Sequence, residues 1–596
     1  MERIWKIRNK DIDDDKVGDF QKRLNGYLDF QLTKMIVSRL GYDIEAVRRF
    51  LRPNLSMLHD PYLFRDMDKA IDRLCLAIDG GERIMVYGDY DVDGTTSVAL
   101  VYSFLKEYFA ANKLDAGRLT YYVPDRYTEG YGVSMKGVDA AADFGCSLII
   151  ALDCGIKDNP RVDYAADKGI DFIVCDHHTP GDELPKAVAV LDAKRHDNTY
   201  PFNELSGCGV GFKLMQALCI RKGIQLAKLF NYIDLVAVSI GSDIVPIVDE
   251  NRVLAYHGML KLNSRPFRYD GGVLQLKPLI CFDAIMKEAQ LKEKNNVTIY
   301  DSVFMIGPRI NAAGRMRTGM EAVRLLVSGD ADAAATFAAD ISRYNEERKK
   351  EDHGITAKAL ETLQADPRNG GRCSTVVYGE GWHKGVVGIV ASRLTEHFYR
   401  PTIVLSKIGD MLTGSARSVS DFDLYEAIDS CREYLSAFGG HKFAAGLSMR
   451  YENVEKFKEA FERYVSTHVT ESQKHPVIDI EQYISFADIT PDFYAKLQMF
   501  QPFGPGNPEP VFATRNVVAV KGTKPCGKTE PHEHLRLVAT DGSGVVISGI
   551  GFSLADYYDC IKDGSPFEVC YTISENEFRG EVSLQLMVKD LRMMGE

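Results

Sequence analysis

Short apolar segments that alternate with helical segments constrain the fold of this chain more than any other feature. Residues 147–152 and 171–175 are almost continuously apolar, and residues 84–86 form a third such run. Residues 95–109, which follow that third run, carry apolar side chains at helical spacing. Strands without a polar face are buried on both sides, as in a parallel sheet that helices cover. The sequence therefore predicts an α/β fold whose ligand binds beyond the carboxyl ends of the strands.

Acidic residues and histidines stand at those carboxyl ends. The first strand precedes three aspartates at spacing two, which would point the same way from an extended segment. Their like charges repel unless a cation lies between them, and oxygen ligands suit Mg²⁺ or Mn²⁺. An Asp-rich turn, a chance match to a calcium loop or a buried structural histidine would each explain one motif alone. The whole set favours a two-metal phosphoryl-transfer site. Its candidate residues are Asp89, Asp91, Asp93, Asp153, Asp176, His177, His178 and Asp243.

Size, composition and charge exclude several classes of protein. A chain of 596 residues is too long for one core, so we expect three or four domains. No apolar run reaches membrane-spanning length, and the charged start of the chain does not resemble a signal peptide. Twelve cysteines without a Cys-x-x-Cys pair indicate reduced thiols, so we expect a cytoplasmic protein. The net charge of −12 means that nucleic acid would need a local basic groove.

Several motifs in a fixed order resemble a known family. Asp176-His177-His178, with the alternating aspartates and Asp153 before it and Asp243 after it, resembles the DHH phosphoesterase superfamily. Further motifs narrow the resemblance to the RecJ family of single-strand-specific 5′→3′ exonucleases. Those motifs lie at residues 124–132, 307–315, 382–391, 414–418 and 439–441, and the resemblance covers nearly the whole chain.

The resemblance implies two divalent metal ions, Mn²⁺ or Mg²⁺. Asp91, Asp93, Asp153, His177 and Asp243 would hold them, with Asp93 or Asp153 bridging the pair. Asp89 stands where some relatives carry a histidine ligand, so it is a further candidate. His178 would face the substrate as a catalytic residue, and Asp176 would support catalysis by orienting a neighbour.

The resemblance also implies a basic lining for the substrate. Arg126, Arg309, Ser415 and Arg417 would hold a 5′-terminal phosphate, since arginine suits bidentate contacts with phosphate. The alternative for each arginine is a surface residue paired with an acid. Further candidates for substrate binding are Asn311, Arg315 and His441.

The implied domain order accounts for the whole length. It comprises a helical preamble (1–80), a parallel-sheet DHH catalytic domain (81–330), a long linker helix (331–366), a smaller α/β DHH-associated domain (367–468), and a linker with an OB-like β-barrel (469–596). The linker helix could be interrupted near Gly354, and two packed core helices are the alternative. Five short predicted strands indicate the barrel, which is a common single-strand binder.

The expected function is a single-stranded-DNA-specific 5′→3′ exonuclease that releases 5′-mononucleotides in DNA repair and recombination. We expect a monomer that works with single-stranded DNA, a helicase and a single-strand-binding protein, without a membrane. Two alternatives stay open at this point. One is a DHH-family phosphodiesterase acting on short oligonucleotides or cyclic dinucleotides, and the other is a non-catalytic single-strand-binding scaffold.

Overall fold

A computed structural model describes residues 3–528 and 531–594. The chain divides into two compact units. The large unit comprises Pro53–His468 together with Pro502–Asn507, and the small unit comprises Met1–Arg52, Val469–Gln501 and Pro508–Glu596. The expected preamble is thus divided between the two units, while the expected domain boundaries stay predictions. No helix among the described residues is both long enough and apolar enough to cross a membrane.

A five-stranded, entirely parallel sheet forms the first half of the large unit, which confirms the predicted α/β class. Side chains alternate between two buried cores: Val86 and Ile150 pack into one, and Met85 and Ile149 into the other. Burial of both faces explains why these strands are apolar throughout. In sheet order the strands are Leu119–Tyr122, Arg83–Gly88, Cys146–Leu152, Asp171–Cys175 and Ala189–Leu191.

Helices surround this sheet and continue the core. Gly207–Lys222 and Ile233–Ser242 are almost fully buried and pack against Val92–Ala111. A π-helical turn, Ser302–Ile306, leads directly into Gly307–Met316. The other principal helices of this half are Met67–Asp79, Met135–Phe144, Asn159–Asp167, Asp249–Leu262, Ile280–Glu288 and Gly319–Leu326.

A second five-stranded sheet forms the end of the large unit. Its strand order is Ala437–His441, Ala444–Arg450, Met411–Arg417, Thr402–Ile408 and Thr375–Glu380. Only the last pair is parallel. Arg417 is opposite Ala444, which is opposite His441, so the ends of three strands lie side by side. The helices of this part are Val387–Phe398, Leu424–Asp429 and Val454–His468.

One helix of 35 residues, Ala331–Ala365, connects the two sheets. The expected interruption near Gly354 and the alternative of two packed helices are both wrong, because the helix continues through this glycine. Its buried side chains recur at spacings of three and four, which is the period of a helix packed on one side. That packing compensates for the weak helix propensity of one exposed glycine.

Gly354 gives a prediction about stability. A Cβ atom here would meet nothing within 4 Å, so Gly354→Ala should stabilise the chain by about 1 kcal/mol through reduced freedom of the unfolded state. In a thermal melt the transition should rise by about 1–2 °C. The matched control is Gly440→Ala, where φ is +150° and a Cβ would lie 2.4 Å from the Ala444 carbonyl oxygen. That variant should melt lower, and a fall for Gly354→Ala as well would contradict the account of an unstrained helix.

The small unit contains a seven-stranded sheet, where the sequence predicts five strands of an OB-like barrel. Residues near the start of the chain join this unit through a parallel pair, Ile4–Ile7 with Val477–Ile480. Its principal helices are Asp14–Arg23, Phe30–Leu40, Ile44–Leu51 and Pro491–Gln498. In sheet order the strands are Gln482–Tyr483, Phe512–Ala519, Phe567–Phe578, Glu581–Met593, Val546–Gly551, His534–Thr540 and Lys524–Cys526, with a further pairing between the second and the sixth.

Candidate metal centre and anion pocket

The three alternating aspartates lie on a strand-to-helix turn. Strand Arg83–Gly88 ends just before Asp89, and Asp91 caps helix Val92–Ala111 by accepting a hydrogen bond from the Gly94 amide at 3.1 Å. The expectation that the aspartates converge from an extended segment is therefore wrong. They converge because the chain turns. The turn needs glycine at position 94, since a Cβ there would lie 2.4 Å from the Asp89 carbonyl oxygen.

Asp93 is fixed by the start of a neighbouring helix. Its Oδ2 accepts from the Gly207 amide at 2.6 Å, and its Oδ1 accepts from the Cys208 amide at 2.8 Å. The Ser239 hydroxyl donates to Oδ1 at 2.7 Å. Amides at a helix N-terminus favour a carboxylate as their acceptor, so this side chain is held in one orientation.

Asp153 follows strand Cys146–Leu152 with a left-handed backbone, φ +58°. Such a conformation costs free energy in a residue other than glycine and persists where the surroundings impose it. Here the Asp153 amide donates to the Cys175 carbonyl oxygen at 2.9 Å. Gly207 leaves the necessary room, since a Cβ there would lie 2.6 Å from the Asp153 Cβ. The turn directs the carboxylate toward its neighbours from the adjacent strands.

His177 is the centre of this cluster. Its Nε2 lies 3.1 Å from Asp153 Oδ1 and 3.6 Å from both Asp93 Oδ2 and Asp243 Oδ2. Asp243 directly follows helix Ile233–Ser242. Potential ligand atoms within 4.8 Å of one another form three overlapping groups: Asp89, Asp91 and Asp153; Asp93, His177 and Asp243; and Asp153, His177 and His178. The structure thus brings together all six candidate metal ligands.

The cluster is electrostatically unfavourable without a cation. Burial raises the pKa of Asp89, Asp91, Asp153 and Asp243, and the neighbouring carboxylates raise it further. Burial lowers the pKa of His177 despite those carboxylates. A group of acids that resists ionisation in this way binds a divalent cation readily, because the cation supplies the missing positive charge.

Buried ligand atoms without hydrogen-bond partners test whether a metal ion fits the cluster. Both oxygens of Asp89 and both ring nitrogens of His177 are buried without a hydrogen-bond partner among the described residues. The Tyr90 and Gly132 amides lie near Asp89, but neither forms a hydrogen bond with normal geometry. Oxygen and imidazole donors without sulfur fit Mg²⁺ or Mn²⁺, so the donor set agrees with the predicted cofactor.

His178 lies beside the cluster, and Asp176 orients it. Asp176 Oδ1 accepts from His178 Nδ1 at 2.8 Å and from the His177 amide at 2.8 Å, while Oδ2 accepts from the Ile156 amide at 3.0 Å. Burial lowers the pKa of His178, but the hydrogen bond to Asp176 and the negative charges of Asp176, Asp93 and Asp91 together raise that pKa overall. The Tyr131 hydroxyl lies 3.1 Å from His178 Nε2 and 3.2 Å from Nδ1. His178 is therefore contacted by both Asp176 and Tyr131.

A group of arginines lies where the first half of the large unit meets the second sheet. Arg126 stacks over Tyr90 at 4.8 Å, and Arg315 Nη1 donates to the Gly385 carbonyl oxygen at 2.9 Å. Burial, with the positive charge of Arg126 and other arginines, lowers the pKa of Arg315 to about 10. A Cβ on Gly388 would lie 3.1 Å from Arg417 Nη2 and 3.3 Å from Ser415 Oγ. We name Arg126, Arg315, Ser415 and Arg417 the anion pocket.

Among the described residues, no contact brings the three other predicted substrate-binding residues into this pocket. Arg309 donates to the Met305 carbonyl oxygen at 2.6 Å and to Ser342 Oγ at 3.3 Å. Asn311 is half-buried in the same helix. His441 is exposed, and its Nδ1 accepts from the Phe443 amide at 3.3 Å. The roles of these residues stay predictions.

Two residues beside the cluster, Tyr131 and Asp192, were not among the predicted site residues. Tyr131 belongs to a recognised motif, but only the fold brings it to His178. Asp192 follows strand Ala189–Leu191 at the same sheet edge, and burial raises its pKa to about 7. Because it is an acid that directly follows a strand, the sequence pattern used for the other acids could have predicted it.

Family models match three consecutive parts of the chain. The DHH family N-terminal domain matches residues 83–240, the DHHA1 domain matches 371–467, and the RecJ OB domain matches 480–590. The first match contains the parallel sheet and its acidic cluster, and the second contains the sheet that carries Ser415 and Arg417. Fold and site together define a DHH-type protein with an associated DHHA1 domain.

Similar proteins and a crystal structure show to which family within this class the chain belongs. Single-stranded-DNA-specific exonuclease RecJ of Bacillus subtilis is 34% identical over 592 residues, covering 98% of this chain and 70% of the relative. The Escherichia coli protein of the same name is 31% identical over 545 residues, covering 88% and 90%. The crystal structure of RecJ in complex with Mn²⁺ from Thermus thermophilus matches with a TM-score of 0.81 and 25% identity, covering 100% and 80%. The chain therefore belongs to the RecJ family.

Proposed function

We propose that this protein is a metal-dependent exonuclease that degrades single-stranded DNA from its 5′ end and releases 5′-mononucleotides. The observation that carries the proposal is the buried carboxylate–histidine cluster, in which both oxygens of Asp89 and both ring nitrogens of His177 lack a hydrogen-bond partner among the described residues. The similarity to relatives named single-stranded-DNA-specific exonucleases supports the choice of substrate.

Six residues would hold two divalent cations in this proposal: Asp89, Asp91, Asp93, Asp153, His177 and Asp243. Such ions would supply positive charge for the phosphodiester and a more acidic bound water. The protein supplies rigidity. Asp93 is fixed by two amides and a hydroxyl, and Asp153 by its imposed backbone conformation. Fixed ligands lower the reorganisation that the reaction would otherwise require.

His178 acts on the substrate side of the cluster. Its raised pKa keeps a proton available near neutral pH, and Asp176 holds the ring in one orientation. A protonated imidazole next to the scissile phosphate stabilises developing negative charge or protonates the leaving 3′-oxygen. The Tyr131 hydroxyl, close to both ring nitrogens, also positions the ring.

The anion pocket binds the 5′-terminal phosphate. Arg126, Arg315 and Arg417 concentrate positive charge in a chain whose net charge is −12. Ser415 adds a hydroxyl donor, and Gly388 leaves space beside it. Recognition of the terminal phosphate sets the polarity of digestion, because in a strand with a 5′-phosphate and a 3′-hydroxyl only the 5′ end carries that group. Arg309, Asn311 and His441 contact the strand outside this pocket.

The cellular setting is also part of the proposal. We propose a cytoplasmic monomer that acts in DNA repair and recombination, receives unwound strands from a helicase and meets them coated by a single-strand-binding protein. The RecJ OB domain adds sequence-independent contacts to longer strands.

The test is digestion of end-labelled DNA by the purified chain, in EDTA and then with Mn²⁺ or Mg²⁺. Substrates are single- and double-stranded DNA, single-stranded RNA and dinucleotides. We expect metal-dependent release of mononucleotides from the 5′ end of single-stranded DNA alone. Cleavage confined to dinucleotides would support the phosphodiesterase alternative. Tight strand binding without metal-dependent cleavage would support the scaffold.

A further inference from the structure

Asp243 is the first residue of a bend, residues 243–248, which joins two helices that pack against each other, Ile233–Ser242 and Asp249–Leu262. The carboxylate of Asp93 is oriented by three hydrogen bonds. Among the described residues no hydrogen bond reaches the Asp243 carboxylate, whose Oδ2 lies 3.6 Å from His177 Nε2. The position of this carboxylate therefore depends on the backbone of the bend.

The backbone of the bend is strained at the residue that follows Asp243. Ile244 has a φ of +62°, and a β-branched residue adopts this left-handed conformation only at a cost in free energy. Its side chain is 63% exposed, so burial does not compensate for that cost. The conformation must be imposed from the two ends of the bend. At the first end, the Asp243 amide donates to the Ser239 carbonyl oxygen at 2.9 Å, as in the preceding helix.

A turn that is distant in sequence lies at the second end of the bend. Residues 502–507 read Pro-Phe-Gly-Pro-Gly-Asn and belong to the large unit; we call them the Pro-Gly turn. Gly504 and Asn507 exchange two backbone hydrogen bonds, at 2.9 and 3.0 Å. The buried Asn507 side chain donates to the Pro502 carbonyl oxygen at 2.8 Å. These bonds, with two prolines of fixed φ, make the turn rigid.

The Pro-Gly turn contacts the bend through one hydrogen bond and two glycines. The Ile247 amide donates to the Pro505 carbonyl oxygen at 2.7 Å. A Cβ on Gly504 would lie 2.5 Å from Ile247 Cδ1, and a Cβ on Gly506 would lie 3.0 Å from Val248 Cγ1. Ile247 is fully buried, so it has no room to move aside. The two glycines therefore permit a close approach that larger residues would prevent.

We propose that the Pro-Gly turn is a positioning element of the metal centre. It fixes the second end of the strained bend and thereby holds the Asp243 carboxylate beside Asp93 and His177. The inference rests on the proposed metal centre. Asp243 belongs to only one of the three groups of potential ligands, the group with Asp93 and His177. A change in the turn should therefore weaken the binding of one divalent cation and spare the other.

The test is calorimetric titration of Mn²⁺ into the metal-free chain without DNA. Gly506→Ala places a methyl group against Val248 at a position where φ is +73°. We expect one of two binding steps to weaken by about tenfold, a typical effect of changing a group that holds a metal ligand in place, while the other stays within about twofold. The Mn²⁺ concentration for half-maximal digestion of DNA should rise by about the same tenfold factor. At saturating Mn²⁺, kcat and KM for DNA should stay within about twofold of the wild type, because excess ion restores the occupied site.

The matched control is Gly271→Ala, in the hairpin between Phe267–Tyr269 and Gly272–Leu274. Its φ is +72°, but a Cβ there would meet nothing within 4 Å. In EDTA both variants should melt lower than the wild type, because alanine is strained at a positive φ. Only Gly506→Ala should bind Mn²⁺ more weakly. Equal Mn²⁺ binding by the two variants would reduce the turn to a merely stabilising element and overturn the proposal.

Adding Ile244→Asn to Gly506→Ala tests whether the strained bend links the turn to the metal centre. Asparagine adopts the left-handed region more readily than a β-branched residue does, so the bend should keep its shape with less support from the turn. We expect the double variant to recover about threefold of the lost Mn²⁺ affinity. No recovery would contradict the bend as the link.

Two further results separate this inference from the proposed function. A wild type that binds no Mn²⁺ would overturn the metal centre and the role of the turn together. A wild type that binds Mn²⁺ but leaves DNA intact would contradict the exonuclease alone, because the weakened binding step is measured without DNA. If Gly506→Ala does not fold, Asn507→Ala, which removes the bond to the Pro502 carbonyl oxygen, replaces it in every comparison.

Discussion

Replacing Asp153 with asparagine is expected to lower the exonuclease activity by about 10³-fold, which corresponds to about 4 kcal/mol of transition-state stabilisation. Asp153 belongs to two of the three ligand groups, one with Asp89 and Asp91 and one with His177 and His178. Its loss would therefore weaken the whole centre rather than one edge of it. Asparagine keeps the shape that fits beside Gly207, so the left-handed turn should persist.

The stability of the same variant separates a catalytic effect from misfolding. Burial and like charge raise the pKa of Asp153 in the folded chain, so the folded state resists its ionisation. A raised carboxyl pKa gives stability that is fully present below the unfolded pKa and is lost as the pH rises toward the folded pKa. In EDTA at neutral pH, Asp153→Asn should consequently melt no lower than the wild type.

Addition of Mn²⁺ should reverse that order, because the wild type gains more stability from the ion than the variant does. The control is Asp167→Asn, an exposed carboxylate at the end of helix Asn159–Asp167. It should keep full activity and the full thermal shift with Mn²⁺. Normal activity of Asp153→Asn, or a variant that melts far below the wild type in EDTA, would contradict this account of the centre.

The parallel sheet and its acidic edge could be predicted from the sequence because both depend on local patterns. A strand buried on both faces must be apolar along its whole length, and the chain must turn where it ends. Asp89, Asp153 and His177 follow three such strands, so adjacency of the strands in space brings the side chains together. The same rule could have included Asp192, which follows a fourth strand.

The arginine contacts could not be predicted as well, because each depends on a helix face and on distant partners. Arg309 and Arg315 are six residues apart on one helix, which places them about 120° apart around its axis. They therefore cannot enter one pocket side by side, and Arg309 turns to Ser342 instead. Tyr131 reaches His178 across 47 residues of sequence, a contact that only the folded chain reveals.

Removal of the His178 side chain is expected to cause the second large loss of exonuclease activity. His178→Ala should lower kcat by about 10²- to 10⁴-fold, the range for a positioned general acid or base, with little change in KM. Removing an exposed aromatic ring elsewhere is a suitable comparison, and Tyr425→Ala on helix Leu424–Asp429 should keep kcat unchanged. A rise in KM with kcat unchanged would instead assign His178 to substrate binding.

Asp176→Asn distinguishes a proton-donating His178 from a merely polar one. In the wild type, burial lowers the pKa of His178, but the hydrogen bond and negative charge of Asp176, with the charges of Asp93 and Asp91, raise it overall. Without that carboxylate the pKa should fall, so the protonated imidazole is lost at a lower pH. If His178 acts as the acid, the alkaline limb of the kcat profile should move to lower pH in Asp176→Asn, while the thermal shift with Mn²⁺ persists. A profile that only drops in height would mean that Asp176 orients the ring without setting its proton affinity, because orientation changes the rate at every pH whereas charge changes where the rate declines.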